Sequence, residues 1–175
     1  MECTRIILNL LKDAYAMEQA VMEVLEQHSS DAENVEIKTL IEEKIESVHE
    51  NSEKVKERVE ELGDEVITGK TSLASIIRNM EQYPSGYEKN KTIKDVIIEY
   101  GLYYLEKAVY KAIIFAAKEC NDQKTVSLCE KIIGNEIETA EYLDQNLGDI
   151  MIDYVNRKTI EKRKIDYTGE DDDEL

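Results

Sequence analysis

Apolar residues recur along this chain at intervals of three and four, the spacing that gathers side chains onto one face of a helix. Ile7, Leu11, Ala14, Val21 and Leu25 form one such stripe, and Ile37, Ile41, Ile45, Val48, Val55, Val59 and Leu62 form another. A further stripe runs through Val126, Cys129, Ile133, Ile137, Ala140 and Leu147. Between the second and the last, residues 92–120 are apolar nearly all round, as in a helix covered on most sides. The pattern predicts four long helices.

Punctuation sets their ends. A break is expected at 28–34, where Ser30-x-x-Glu33 has the form of a capping box for the second helix. Gly63 stands where a C′ glycine would stop that helix. Thr92-x-x-Asp95 can cap a third helix running to about Cys120, and Asn121 or Asp122 a fourth running to about Leu147. Gly63, Gly69, Gly86 and Pro84, the only proline, all fall within residues 63–90 and mark a long connection. Inside it, residues Thr71 to Met80 read as a short helix laid across the bundle. Two helical hairpins joined by one long crossover make an all-α, ferritin-like four-helix bundle, here assigned to residues 1–148. Residues 149–175 carry a basic block, Arg157 to Lys164, then the acidic run Glu170 to Glu174, and are expected to be a charged tail, partly helical or disordered.

Composition narrows the function classes. In 175 residues, 39 acids against 22 bases leave a net charge of −17, which disfavours nucleic acids and anionic membrane surfaces as partners. No stretch approaches the roughly 18 apolar residues of a membrane span. Cys3, Cys120 and Cys129 are an odd, scattered set and read as reduced intracellular thiols, the last two as buried helix residues. The first residues lack a convincing signal peptide, so the expected location is the cytoplasm, with self-association into a homo-oligomer left open.

Candidate chemistry lies in the few acids that fall on apolar faces. At about 100° per residue, Glu18 lies within roughly 50° of the centre of the first stripe, and Glu136 within about 40° of the centre of the last. Glu106 has Leu102, Tyr103, Val109 and Tyr110 at its three- and four-residue neighbours, none of them charged. An unpaired buried carboxylate costs several kcal/mol, so a metal, an Arg or Lys, a Tyr hydroxyl or a proton must accompany it. The depths agree, because Glu106 and Glu136 are equidistant from the turn near 121, as Glu18 and Glu46 are from the one near 32. The second helix departs from the pattern. Glu46-Ser-Val-His49 has the Glu-x-x-His spacing of di-iron bundles, yet Glu46 lies about 155° and His49 about 95° from the stripe centre. The polar residues leaning inward there are Lys44 and Asn51. Either the helix is rotated so that His49 enters, or Lys44 reaches in to neutralise a glutamate.

The stretches Leu10 to Ala20, Glu36 through Glu42-Glu43 to Gly63, Leu105-Glu-Lys-Ala-Val-Tyr110 and Asn135 to Leu143 resemble the YciE/YciF-type ferritin-like family of stress-associated proteins, over about residues 4–147. On that resemblance Glu18, Glu106, Tyr110 and Glu136 match family residues. Lys44 and Asn51 stand where the family often has His, Tyr103 and Tyr104 where it has a Glu-His pair, and Ala140 where it has an acid.

Two functions follow. One is a bundle holding one or two iron or manganese ions for stress-related oxygen or peroxide chemistry, with Glu18, Glu106 and Glu136 as ligands, His49 the nitrogen donor, Glu46 a further carboxylate and Tyr110 a neighbouring hydroxyl. The other is a metal-free bundle with no cofactor and a salt-bridged core, acting structurally or by protein interaction.

Overall fold

The computed structural model describes residues 2–32, 35–66, 72–80 and 91–134, together with 144, 147–149, 151–152, 155–156 and 159–160. Its elements are α1 (Glu2–Asp31), α2 (Val35–Glu61), α3 (Ser72–Met80) and α4 (Lys91–Glu119), followed by helical residues 123–134, here α5. The chain is all-α, and no helix among the described residues is long and apolar enough to cross a membrane.

The buried stripe of α1 is longer than its apolar letters suggest. Ile7, Leu11, Ala14, Glu18, Val21, Leu25 and His28 are all buried at alternating steps of four and three. The helix does not break at His28 but runs on to Asp31, so Ser30 lies in its last turn. The Ser30 hydroxyl donates to the Gln27 carbonyl at 2.8 Å, a back-bond inside α1 in place of the expected cap on α2. Similarly, α4 starts at Lys91, which puts Thr92 inside the helix instead of at its cap.

The C-termini of α2 and α4 each use a left-handed residue. Gly63 has φ +84°, with its N–H on the Glu60 carbonyl at 2.9 Å and the Asp64 N–H on that of Val59 at 3.2 Å. Asn121, at φ +55°, repeats the pattern for α4 through Asn121 N–H to Lys118 O (3.1 Å) and Asp122 N–H to Ala117 O (2.9 Å). Each pair of bonds satisfies carbonyls that the helix end would leave unpaired. Asp122 then caps α5, its carboxylate accepting from the Thr125 N–H at 3.1 Å and the Thr125 hydroxyl at 2.6 Å.

Long-range contacts fix the helix directions. Lys12 meets Asp64 at 2.7 Å, which sets the start of α1 beside the end of α2. Arg58 meets Asp122 at 2.8 Å, so the end of α2 lies beside the α4–α5 turn. At the opposite end His28 meets Glu99 at 2.9 Å. Hence α2 and α4 run parallel to one another and antiparallel to α1, and the connection between them must traverse the bundle. Within it α3 packs Ala74 and Ile77 inward and places Arg78 on Glu23 through two bonds of 2.6 and 2.9 Å.

The same topology overturns the reading of three free thiols. Cys3 and Cys120, 117 residues apart, are joined by a disulfide with their Cα atoms 5.6 Å apart. Cys3 is exposed and Cys120 half-buried; Cys129 is the free, buried cysteine. Spacing along the chain could not show this pairing, because it depends on α1 and α4 running in opposite directions.

Candidate functional site

Midway along the bundle, polar side chains meet in a layer that the apolar stripes enclose. Glu18 of α1 and Glu106 of α4 are both 0% exposed, among the most deeply buried large side chains of the protein. Their position follows from helical spacing: Glu18 occupies a stripe position between Ala14 and Val21, and Glu106 lies one turn from the buried Leu102, Tyr103 and Tyr110.

Each carboxylate is held by a group from another helix. The Tyr110 hydroxyl, itself fully buried, donates a hydrogen bond to Glu18 Oε1. Lys44 Nζ lies 3.2 Å from Glu106 Oε2 and 3.5 Å from Glu106 Oε1, spanning both oxygens. The Lys44 side chain is only 10% exposed, so this ion pair is internal. Of the two arrangements open for α2, the structure has the one in which lysine enters. Asn51 and Ser52 of α2 are also buried, the Ser52 hydroxyl donating to the His49 carbonyl at 2.8 Å.

The other candidates lie elsewhere. Glu46 and His49, offered as ligands by their Glu-x-x-His spacing, have exposed side chains and do not join Glu18 and Glu106, because their angles from the stripe centre carry them to the outer face of α2. Glu136 lies outside the described residues. A ferritin-like fold implies a two-metal centre of carboxylates and histidines, and the described residues do not assemble one. A lysine ammonium bridges the oxygens of Glu106, no histidine points into the layer beside Glu18, and among the described residues no group of three His, Cys, Asp or Glu could hold a metal ion.

One buried polar cluster escaped the sequence reading. His28, assigned to a turn, is 0% exposed near the end of α1. Its Nδ1 lies 2.9 Å from Glu99 Oε1 and its Nε2 lies 3.6 Å from Asp95 Oδ1, so carboxylates of α4 face both ring nitrogens. The available signal was the stripe itself, since His28 follows Val21 and Leu25 at the same rhythm.

Residues 4–156 match the model of a family described as a domain of unknown function, DUF892, and the chain belongs to that family. No curated protein matches it. Among solved structures, a protein of Xanthomonas campestris pv. campestris is 28% identical, covering 91% of this chain and 99% of its own with a TM-score of 0.75. The E. coli stress protein YciF is 17% identical, covering 88% of this chain and 97% of its own, with a TM-score of 0.69. A ferritin-like, diiron-carboxylate protein of Bacillus anthracis is 15% identical, covering 84% and 99%, with a TM-score of 0.70. The fold is therefore ferritin-like, and the likeness to the YciF-type family holds.

Proposed function

We propose that this chain is a metal-independent ferritin-like bundle, in which Lys44 supplies the positive charge that a metal ion would bring to the core, and that it acts structurally or through protein contacts. The observation that carries this reading is the internal ion pair between Lys44 and both oxygens of Glu106. An ammonium there neutralises the carboxylate and occupies the space on its oxygens that a cation would need. The outside of α4 supports a surface role. Ile97, Tyr104 and Phe115 are exposed there, Phe115 by 70%, and Glu106, the single acid between Tyr100 and Lys118, points inward. Asp144 borders this face, accepting from the Tyr100 hydroxyl at 2.6 Å, and the exposed apolar side chains are ones that a partner or a second copy could cover.

A second reading keeps the metal. Glu18 and Glu106 are two fully buried carboxylates on facing helices, and Glu136 would add a third hard oxygen donor for iron or manganese, whose chemistry when bound is the activation of oxygen or peroxide. Elemental analysis of protein purified without chelator, with and without Lys44→Ala, separates the two. Under the first reading the parent is substoichiometric in every transition metal and its unfolding midpoint is indifferent to EDTA, while Lys44→Ala gains metal that Glu106→Ala abolishes. Stoichiometric iron or manganese in the parent, lost in Glu18→Ala and Glu106→Ala, would establish the second; removing a metal held at a hundred times its Kd would then cost about 2.7 kcal/mol.

A further inference from the structure

The Cys3–Cys120 pair lies apart from the acid layer, and the proposed function makes no use of it. Cys3 sits in the first turn of α1, where residues 2–6 are all exposed and Ile7 is the first buried side chain. Cys120 closes the last turn of α4, its N–H on the Ala116 carbonyl at 3.0 Å, and is half-buried. With Cα atoms 5.6 Å apart, the two can bond or separate without moving the helices.

Their surroundings make them unequal. Cys3 stands at the positive end of a helix, among amide N–H groups that favour a thiolate, with Arg5 on the same turn. Cys120 stands at the negative end of another, which favours the neutral thiol. Each has one glutamate as its chain neighbour, Glu2 and Glu119, so adjacent charge leaves that order unchanged. The third cysteine does not compete: Cys129 is buried, and burial pushes its thiol up to about 12.

We propose that Cys3 and Cys120 form a reversible dithiol site for small-molecule disulfides, with Cys3 as the exchanging thiol and Cys120 as the one that closes the internal bond. The Cys3 thiolate attacks one sulfur of R–S–S–R, forming a mixed disulfide on Cys3 and expelling RS⁻, which takes a proton from water. Cys120 then gives its proton to solvent, and its sulfur attacks the Cys3 sulfur, expelling the second RS⁻. The protein loses two electrons and two protons, and the small disulfide becomes two thiols. In reverse, a small thiol reaches the exposed Cys3 sulfur and Cys120 departs. The oxidised state clamps the first turn of α1 to the α4–α5 turn; the reduced state frees that turn and leaves the packing from Ile7 onward in place.

The test uses the full chain in mixtures of glutathione and glutathione disulfide, quenched with acid and read by intact mass and peptide mapping. A single two-electron transition between dithiol and Cys3–Cys120 is expected. Cys120→Ser should hold a glutathione adduct on Cys3, formed at least about threefold faster than the adduct on Cys120 in Cys3→Ser, as one unit of thiol pKa difference gives with a Brønsted slope near 0.5. Should either serine variant lose its helical circular dichroism, the wild-type mixed disulfide trapped early gives the same answer, by lying on Cys3. No internal bond at any ratio, equal rates at the two positions, or an early adduct on Cys120 would each overturn the proposal.

Discussion

When a lysine ammonium and a carboxylate share a protein interior, losing one is worse than losing both, because the survivor is left as an uncompensated buried charge. Lys44→Met should therefore lower stability by about 3 kcal/mol, while Lys44→Met combined with Glu106→Leu recovers most of that, both read from urea unfolding. Equal losses in the single and double variants would show that the Lys44–Glu106 pair is not the internal contact described here. Tyr110→Phe is a gentler probe, because it keeps the ring and removes the hydroxyl that serves Glu18. It should cost about 1–3 kcal/mol by calorimetry, the penalty of depriving a buried acceptor of its donor. Part of this layer was legible beforehand: stripe angles turned Glu18, Lys44 and Asn51 inward, and those side chains lie so, whereas the Glu-x-x-His spacing that offered Glu46 and His49 as ligands falls on exposed side chains. His28 was obscured because Ser30 and Glu33 carry the letters of a helix start, and local side-chain preferences yielded to the packing that extends α1 to Asp31.

The α4–α5 turn shows an element boundary set by one side chain with several tasks. Asp122 caps α5 through Thr125 and also receives Arg58 from α2 at 2.8 Å. Burial works to raise its carboxyl, but the bonds from Thr125 and Arg58 outweigh that and hold it below the ordinary aspartate value of 3.8. A carboxyl whose folded pKa is depressed stabilises the fold above its unfolded value, and that contribution disappears as the pH drops through the folded value. Asp122→Asn keeps a capping side chain and loses the charge, so its stability should fall less steeply than the parent's below pH 3.8. Asp122→Ala loses both and should be less stable by about 1–2 kcal/mol at neutral pH. Unchanged acid limbs in denaturation curves of Asp122→Asn would rule out the linkage. Gly63 could be read from its letter, because the left-handed C′ position selects glycine, whereas Asn121 and Asp122 were interchangeable on paper until the φ of +55° assigned the first to ending α4 and the second to starting α5.

At the scale of the whole chain, the outline of hairpin, crossover and hairpin was legible because the single proline and three of the seven glycines cluster in residues 63–90. Which helix ends become neighbours was not, since direction follows from how four stripes share one core, and the Cys3–Cys120 pairing went unseen for that reason. The division at residue 148 concerns the same scale. Beyond it, Ile152, Val155 and Ile160 are 58%, 55% and 54% exposed and bury little surface, while Met151 is half-buried. In sequence, that stretch also carries the basic block Arg157 to Lys164 and the acidic run Glu170 to Glu174, and blocks of like charge repel one another. A chain ending at Gly148 should therefore keep its helical circular dichroism per residue over the bundle, with a Tm within about 4 °C of the parent's, the equivalent of about 1 kcal/mol at this size. A fall well beyond that would mean that residues 149–175 complete the hydrophobic core, and the bundle would then have to be redrawn to include them.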